Sequence, residues 1–279
     1  MRTVVPAVLA IALLAGEAPA LDKGLYAALL ERHTLAVDDI ASTRVDYAAL
    51  RTSEGWESLI RTLNDTDPGR LRSRDEKLAF WINAYNILAI DLVRRHYPID
   101  SIRSVGTFLS PVWKKKAGEI GGRAYTLHQI EHEILRPMGE PRIHAAIVCA
   151  SLSCPPLRRE PYRAAELDTQ LDDNVRRWLA DPRKGARIDR SAQTLSLSAI
   201  LDWFAEDFGG DVLPFVRRYL APADAAWIAA QGDSLRVQYL DYDWSLNDTA
   251  AESAEKAGQS GLGRPPLAET GFIEPRGSR

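Results

Sequence analysis

The chain contains two cysteines, Cys149 and Cys154, in 279 residues. So low a count excludes a small scaffold stapled by several disulfides. No Gly-rich phosphate loop, dinucleotide fingerprint or basic-aromatic patch occurs, so neither a nucleotide cofactor nor nucleic acid is expected. There is no internal repeat. The charge is nearly balanced, at −3, and gives no general attraction to polyanions. What is present is ordinary for a globular protein: 46% hydrophobic and 26% charged residues, enough for a core without staples.

The first twenty residues, MRTVVPAVLAIALLAGEAPA, place Arg2 before an apolar run over 4–15 and end on Ala18-Pro19-Ala20. This is the three-part pattern of a secretory signal peptide, with an apolar run too short to span a bilayer. No cysteine follows the cleavage site, so a lipid anchor is not expected. The predicted location is periplasmic or secreted, with no transmembrane span after cleavage. From 247 to 279 the chain is rich in Ala, Gly, Ser, Pro and Glu and reads as a disordered tail. The globular domain is therefore expected over 21–246.

Within it the punctuation predicts helices over 21–31, 55–63 and 74–96. The longest has a Ser73/Glu76 capping box and stops at Tyr97-Pro98. Thr126 and Gln129 cap a helix over 127–135, and 164–179 is amphipathic. A buried strand is expected over 142–150 and a hairpin from ARIDR and TLSLS. Two or three helices follow, then a last strand over 235–242. The predicted fold class is α+β, a mainly helical single domain with a small, largely antiparallel sheet.

Three places carry polar groups where apolar ones belong. The helix segment EKLAFWINAYNILAIDLV is apolar nearly all round, so Asn83 and Asn86 are buried and need partners. They either tie down a loop backbone or orient a catalytic side chain or substrate. In TLHQIEHEIL, Glu131 falls within the inward stripe and His132 on its flank. His128, Glu131 and His132 also spell H-x-x-E-H, a two-imidazole zinc pattern, but no third ligand is apparent and no metal is assigned. In RIHAAIVCA, strand alternation puts His144 and Cys149 on opposite faces. Cys149 then needs a partner from elsewhere, and His132 is the best candidate. In the following SLSCPP, Ser153 and the backbone N–H groups offer donors for an oxyanion.

The blocks EKLAFWINAYN, YTLHQIEHEILR, RIHAAIVCASLSCPPL and YLDYDWSLN, in that order and spacing, resemble the domain of unknown function 547 family over roughly 45–246. The resemblance implies no established activity. It singles out Trp81, Asn83, Tyr85, Asn86, Glu131, His132, Cys149, Ser153 and Pro155, and does not include His128.

Two readings lead. In the first, the protein is a thiol-dependent hydrolase or acyl transferase in which Cys149 is the nucleophile and His132 the base. Glu131 or Asn83 orients, and Trp81, Asn86 and Ser153 contact a small molecule or peptide. In the second it is a non-catalytic binding module with a structural Cys149–Cys154 disulfide, which so short a loop makes worth about 2–3 kcal/mol. A metal-dependent hydrolase using His128 and His132 is a third reading. The seven tryptophans suggest glycan stacking, but several fall on helical core faces, so packing is their expected use.

Overall fold

The computed structural model describes residues 20–250. Helix α1 (Lys23–His33) leads through a short ribbon, β1 (Thr34–Ala36) and β2 (Thr43–Val45), to α2 (Tyr47–Leu50) and α3 (Glu54–Asp65). The long α4 (Arg74–His96) is followed by an antiparallel hairpin, β3 (Lys116–Ile120) and β4 (Arg123–Thr126). A π-helix (Gln129–Leu135), a one-turn α5 (Ile143–Ala146) and α6 (Leu167–Ala180) come next. The hairpin of β5 (Ala186–Asp189) and β6 (Thr194–Leu197) precedes α7 (Ala199–Trp203), α8 (Leu213–Tyr219) and α9 (Pro222–Gln231). The closing β7 (Arg236–Tyr239) pairs parallel with β6. The architecture is α+β, mainly helical with small, largely antiparallel sheets. Among the described residues no helix is long and apolar enough to cross a membrane.

The centre of the fold is α4, and its ends follow from its sequence. Ser73 Oγ accepts from Glu76 N at 3.0 Å, and Glu76 returns the bond to Ser73 N at 2.9 Å. Every residue from 78 to 94 is buried. Three donors hold the one acid in that stretch, Asp91: Trp56 Nε1 at 3.2 Å, Arg94 Nε at 2.9 Å and Arg95 Nε at 2.7 Å. One apolar cluster surrounds α4; a second lies between α6, the β5–β6 hairpin and α7–α9. Tyr242 packs against both.

The expected strand over 142–150 is not one. Residues 143–146 form one helical turn, and the chain becomes extended only at Ile147. An apolar run buried on every side carries no period, so strand and helix read alike in sequence. Side-chain amides supply the backbone partners that a neighbouring strand would have given. Asn86 Nδ2 donates to Ala146 O at 2.9 Å and its Oδ1 accepts from Val148 N at 2.8 Å. Asn174 Nδ2 donates to Ala145 O and to Pro156 O.

The other correction concerns the C-terminal boundary. Asn247 and Asp248 are buried and belong to the fold. Tyr47 donates to Asn247 Oδ1 and Tyr97 to Asp248 Oδ2, both at 2.8 Å. The predicted signal peptide up to residue 19 and the tail from 251 lie outside the described residues.

Candidate functional site

The chain folds the 142–154 region into the base of an open cleft of about 110 Å³. Ala150 takes a left-handed conformation, φ +63°, and turns the chain back after Cys149. Cys149 and Cys154 are joined in a disulfide. The two sulfurs are not equivalent: Cys149 is half-buried, whereas Cys154 is 2% exposed. Cys154 Sγ accepts from the Cys149 backbone N–H at 3.0 Å and lies 3.2 Å from both the Ser151 and Tyr242 hydroxyls. Cys149 Sγ is 3.0 Å from Ser151 Oγ and 3.3 Å from Tyr242 Oη. The sulfurs carry no hydrogen, so any hydrogen shared in these hydroxyl contacts comes from the two hydroxyls, which also lie 3.0 Å from each other. Burial raises the Tyr242 pKa, and the charge of Glu131 adds to it, so this phenol remains a donor at neutral pH.

The π-helix supplies one wall. Its reciprocal cap is formed as the sequence implies, Thr126 N to Gln129 Oε1 at 3.1 Å and Gln129 N to Thr126 Oγ1 at 3.0 Å. The wider turn lets neighbours Glu131 and His132 both reach the cleft, a common use of such helices. Tyr85 on α4 donates to Glu131 Oε2 at 3.3 Å. The His128 and His132 rings stack with centroids 4.3 Å apart. Among the described residues, no three His, Cys, Asp or Glu side chains converge to hold a metal ion.

Behind this wall runs a chain of charge-assisted bonds. Arg136 grips Asp207 with Nε at 2.6 Å and Nη2 at 2.9 Å, and its Nη1 lies 2.8 Å from His132 Nδ1. Asp207 Oδ2 also takes His144 Nε2 at 2.7 Å. A guanidinium can only donate, so His132 Nδ1 accepts and the neutral ring carries its proton on Nε2. The His132 pKa falls to about 4, first through burial, then through the nearby positive charge of His128, Arg136 and His144. At neutral pH His132 is thus an N–H donor rather than a ready base. Burial also lowers the pKa of His144. Burial pushes that of Asp207 upward, but the bonds from His144 and Arg136 outweigh it and hold the carboxyl below its usual range.

Aromatic rings complete the lining: Trp203 and Phe204 at the end of α7, with Phe204 stacked on His144 at 4.2 Å, then Trp113, and Tyr242 with Trp244. Trp203 and Trp244 stack at 5.8 Å, and Tyr242 lies 4.5 Å from Trp244. Packing is therefore the use of Trp56, Trp81 and Trp178, which are buried, while Trp113, Trp203 and Trp244 line the cleft.

The sequence candidates divide accordingly. Cys149, Glu131 and His132 meet in the cleft, joined there by His144. The faces assigned to His144 and Cys149 by strand alternation do not apply, because no strand connects them. Asn83 does not line the cleft: it donates to Tyr162 O at 2.8 Å and accepts from Tyr162 N at 2.9 Å. Asn86 shapes the cleft only through the backbone it clamps. Trp81 packs on Tyr125 at 5.2 Å, and Ser153 Oγ accepts from Asp243 N at 2.9 Å.

The paired asparagines of α4 that clamp backbone and the Glu131–His132 pair both lie in one stretch of the chain. Residues 69–179 match the model of the family described as Protein of unknown function, DUF547. The DUF547 segment supplies the clamps, the histidine wall and the disulfide. The block YLDYDWSLN and the Trp203–Phe204 pair lie beyond the match and complete the cleft from outside it. No curated protein and no solved structure matches the chain.

Sequence reasoning passed over Arg136, Asp207, Phe204 and Trp203. Arg136 stands one turn beyond His132, a visible signal; Asp207 pairs with it across 71 residues and offers none. Tyr242 and Trp244, two apart in an extended segment, share a face and were open to detection.

Proposed function

We propose that the protein is an exported thiol-dependent hydrolase or acyl transferase in which Cys149 is the reactive sulfur. The disulfide with Cys154 is its oxidised resting form. The observation that carries this reading is the asymmetry of the pair. Both cysteines line the cleft, but Cys149 is the more exposed, while the buried Cys154 sulfur alone accepts a backbone N–H in addition to facing the two hydroxyls that both sulfurs share. An external dithiol opens the site. One of its thiolates attacks Cys149 Sγ, the S–S bond breaks, and the electron pair leaves on Cys154 Sγ. Its second thiol then displaces Cys149 as thiolate, and the dithiol departs as a disulfide.

The freed thiolate attacks the carbonyl carbon of an acyl substrate held against the aromatic wall. The tetrahedral oxyanion collapses to a thioester on Cys149 and expels the leaving group as an anion (a thiolate where the substrate is a thioester). Water or another acceptor, giving its proton to a base, then cleaves the Cys149 thioester and releases the thiolate. His132 supplies an N–H donor for the oxyanion, and the Glu131 carboxylate is the base for the incoming nucleophile. Export, read from residues 1–20, supports a disulfide as the resting state.

A second reading, a binding module with a permanent disulfide, is favoured by the amides of Asn83 and Asn86, each of which donates to and accepts from backbone rather than facing the cleft. Separating the two requires graded reduction of the folded protein by dithiothreitol, iodoacetamide labelling, and a panel of small thioesters offered to C154S and C149S. The proposal expects Cys149 to be alkylated well before Cys154, and C154S to turn over a thioester that C149S does not. Labelling of both cysteines only on unfolding, with no turnover by C154S, establishes the binding module instead.

A further inference from the structure

One exposed apolar feature plays no part in the cleft chemistry. Between the short turns Ile102–Val105 and Val112–Lys114, the chain makes a loop, GTFLSP, over 106–111. At its tip Phe108 is 84% exposed and Leu109 92%, far more than any other large apolar side chain among the described residues. The loop is tied tightly. Thr107 N donates to Ser110 O at 2.9 Å, and Ser110 N returns to Thr107 O at 3.2 Å. Gly106 lies so close to the returning strand of the loop that a Cβ there would stand 2.4 Å from Val112 N. A bonded turn thus holds two large hydrophobes out in water, where burial elsewhere would have been favourable.

The sequence on either side of this tip, between Asp100 and Glu119, is basic. From 101 to 118 the sequence has Arg103, Lys114, Lys115 and Lys116 and no Asp or Glu. Arg103, Lys114 and Lys116 are exposed, and Lys116 pairs with Glu119. The base of the loop adjoins the cleft mouth. Trp113 lines the cleft 6.1 Å from Trp244, and the Arg103 guanidinium lies over the Trp244 ring at 5.2 Å.

We propose that this loop docks on the surface of an anionic phospholipid bilayer. Phe108 and Leu109 enter the boundary between headgroups and acyl chains, and Arg103, Lys114 and Lys116 contact the phosphates. A convex tip of two side chains offers far less than the roughly 800 Å² per partner of a stable protein interface. It does fit a fluid apolar layer beneath a charged surface. The local basic stretch acts within a Debye length of about 10 Å, so the net charge of −3 on the whole chain does not set its potential. Docking this way brings the aromatic mouth of the cleft next to the lipid surface, whatever reaction the cleft performs.

The test is hydrogen exchange, read by mass spectrometry on the full chain, with vesicles of phosphatidylglycerol and phosphatidylethanolamine or of phosphatidylcholine alone. The expected result is slowed exchange over 103–113 on the anionic vesicles, weakened by raised salt. In F108D/L109D that local protection disappears and vesicle affinity falls at least tenfold, with melting temperature unchanged; K114E gives a smaller loss. Reading the loop peptide separates this contact from any made by the N-terminal apolar run. The proposal is overturned by unchanged exchange over 103–113 in the wild type, or by protection that survives in the double variant. It is equally overturned by protection that grows with protein concentration without lipid, since a second copy would then be the occupant.

Discussion

Arg136 donates a hydrogen to His132 Nδ1 at 2.8 Å while binding Asp207 through its other two nitrogens. One side chain thereby fixes the tautomer of the cleft histidine and adds positive charge beside it. A thiolate–imidazolium pair, the usual arrangement around a nucleophilic cysteine, is disfavoured here. Under the proposed function His132 is then a neutral donor, and activation of Cys149 comes from the opening of its disulfide.

This arrangement makes the fold sensitive to acid. His132 titrates near 4 in the folded state and near its ordinary 6.5 when unfolded, and His144 is lowered in the same direction. Below 6.5 the unfolded chain binds protons that the folded chain refuses, so stability falls as pH drops toward 4 and is level above about 7. Denaturant unfolding between pH 7.5 and 4.5 checks this by comparing the wild type with H132Q. The difference between them narrows as the pH falls. A difference independent of pH would rule out a depressed His132.

The clamps on α4 were partly legible. A buried helix with two asparagines demanded partners, and its cap and stop were visible in Ser73, Glu76 and Tyr97-Pro98. The partners were not, because Ala146, Val148 and Tyr162 lie 60 to 79 residues away. The same distance hid the helical turn at 143–146, whose backbone is satisfied by side chains from α4 and α6. A π-turn differs from an α-turn by one residue and leaves no trace in a hydrophobic pattern. The Arg136–Asp207 pair joins two segments with no local signature.

Asn86→Ala is expected to cost about 2–4 kcal/mol, since it strands a buried carbonyl at Ala146 and a buried N–H at Val148. For a domain of this size that lowers the melting temperature by roughly 5–12 °C. Asn83→Ala acts alike at Tyr162. Its effect on labelling of reduced Cys149 should be slight, because its amide stands away from the cleft. Loss of labelling with intact stability would return Asn83 to the reactive set.

Lys184 is buried away from the cleft, with its Nζ donating to Ala41 O at 2.9 Å. Burial, only partly offset by the charge of Asp181, lowers its pKa to about 7. The unfolded chain protonates near 10.5, so between 10.5 and 7 it holds a proton that the folded chain lacks. Stability therefore decreases as pH falls through that window and levels off below it. K184M removes this slope. Unfolding at pH 7.5 and 9.5 should show the variant gaining on the wild type at the lower pH; parallel curves would mean the amine is charged in the fold.

Tyr242 gives the sharpest test of how the disulfide opens. Its hydroxyl lies 3.2 Å from Cys154 Sγ and 3.0 Å from Ser151 Oγ, and its ring is held by Trp203 and Trp244. Tyr242→Phe keeps the ring and deletes one of three donors to the departing thiolate. A charge-assisted bond of this kind is worth about 1.5–3 kcal/mol, or at least tenfold in rate where it is made mainly in the transition state. Reduction of the folded variant by dithiothreitol should therefore slow by about tenfold, while the Cys149 N–H and the Ser151 hydroxyl keep it from stopping. Ser151→Ala should slow it similarly, and the double variant further. Equal rates in wild type and Tyr242→Phe would show that the hydroxyl cluster packs the loop without assisting the chemistry, and the binding-module reading would then stand.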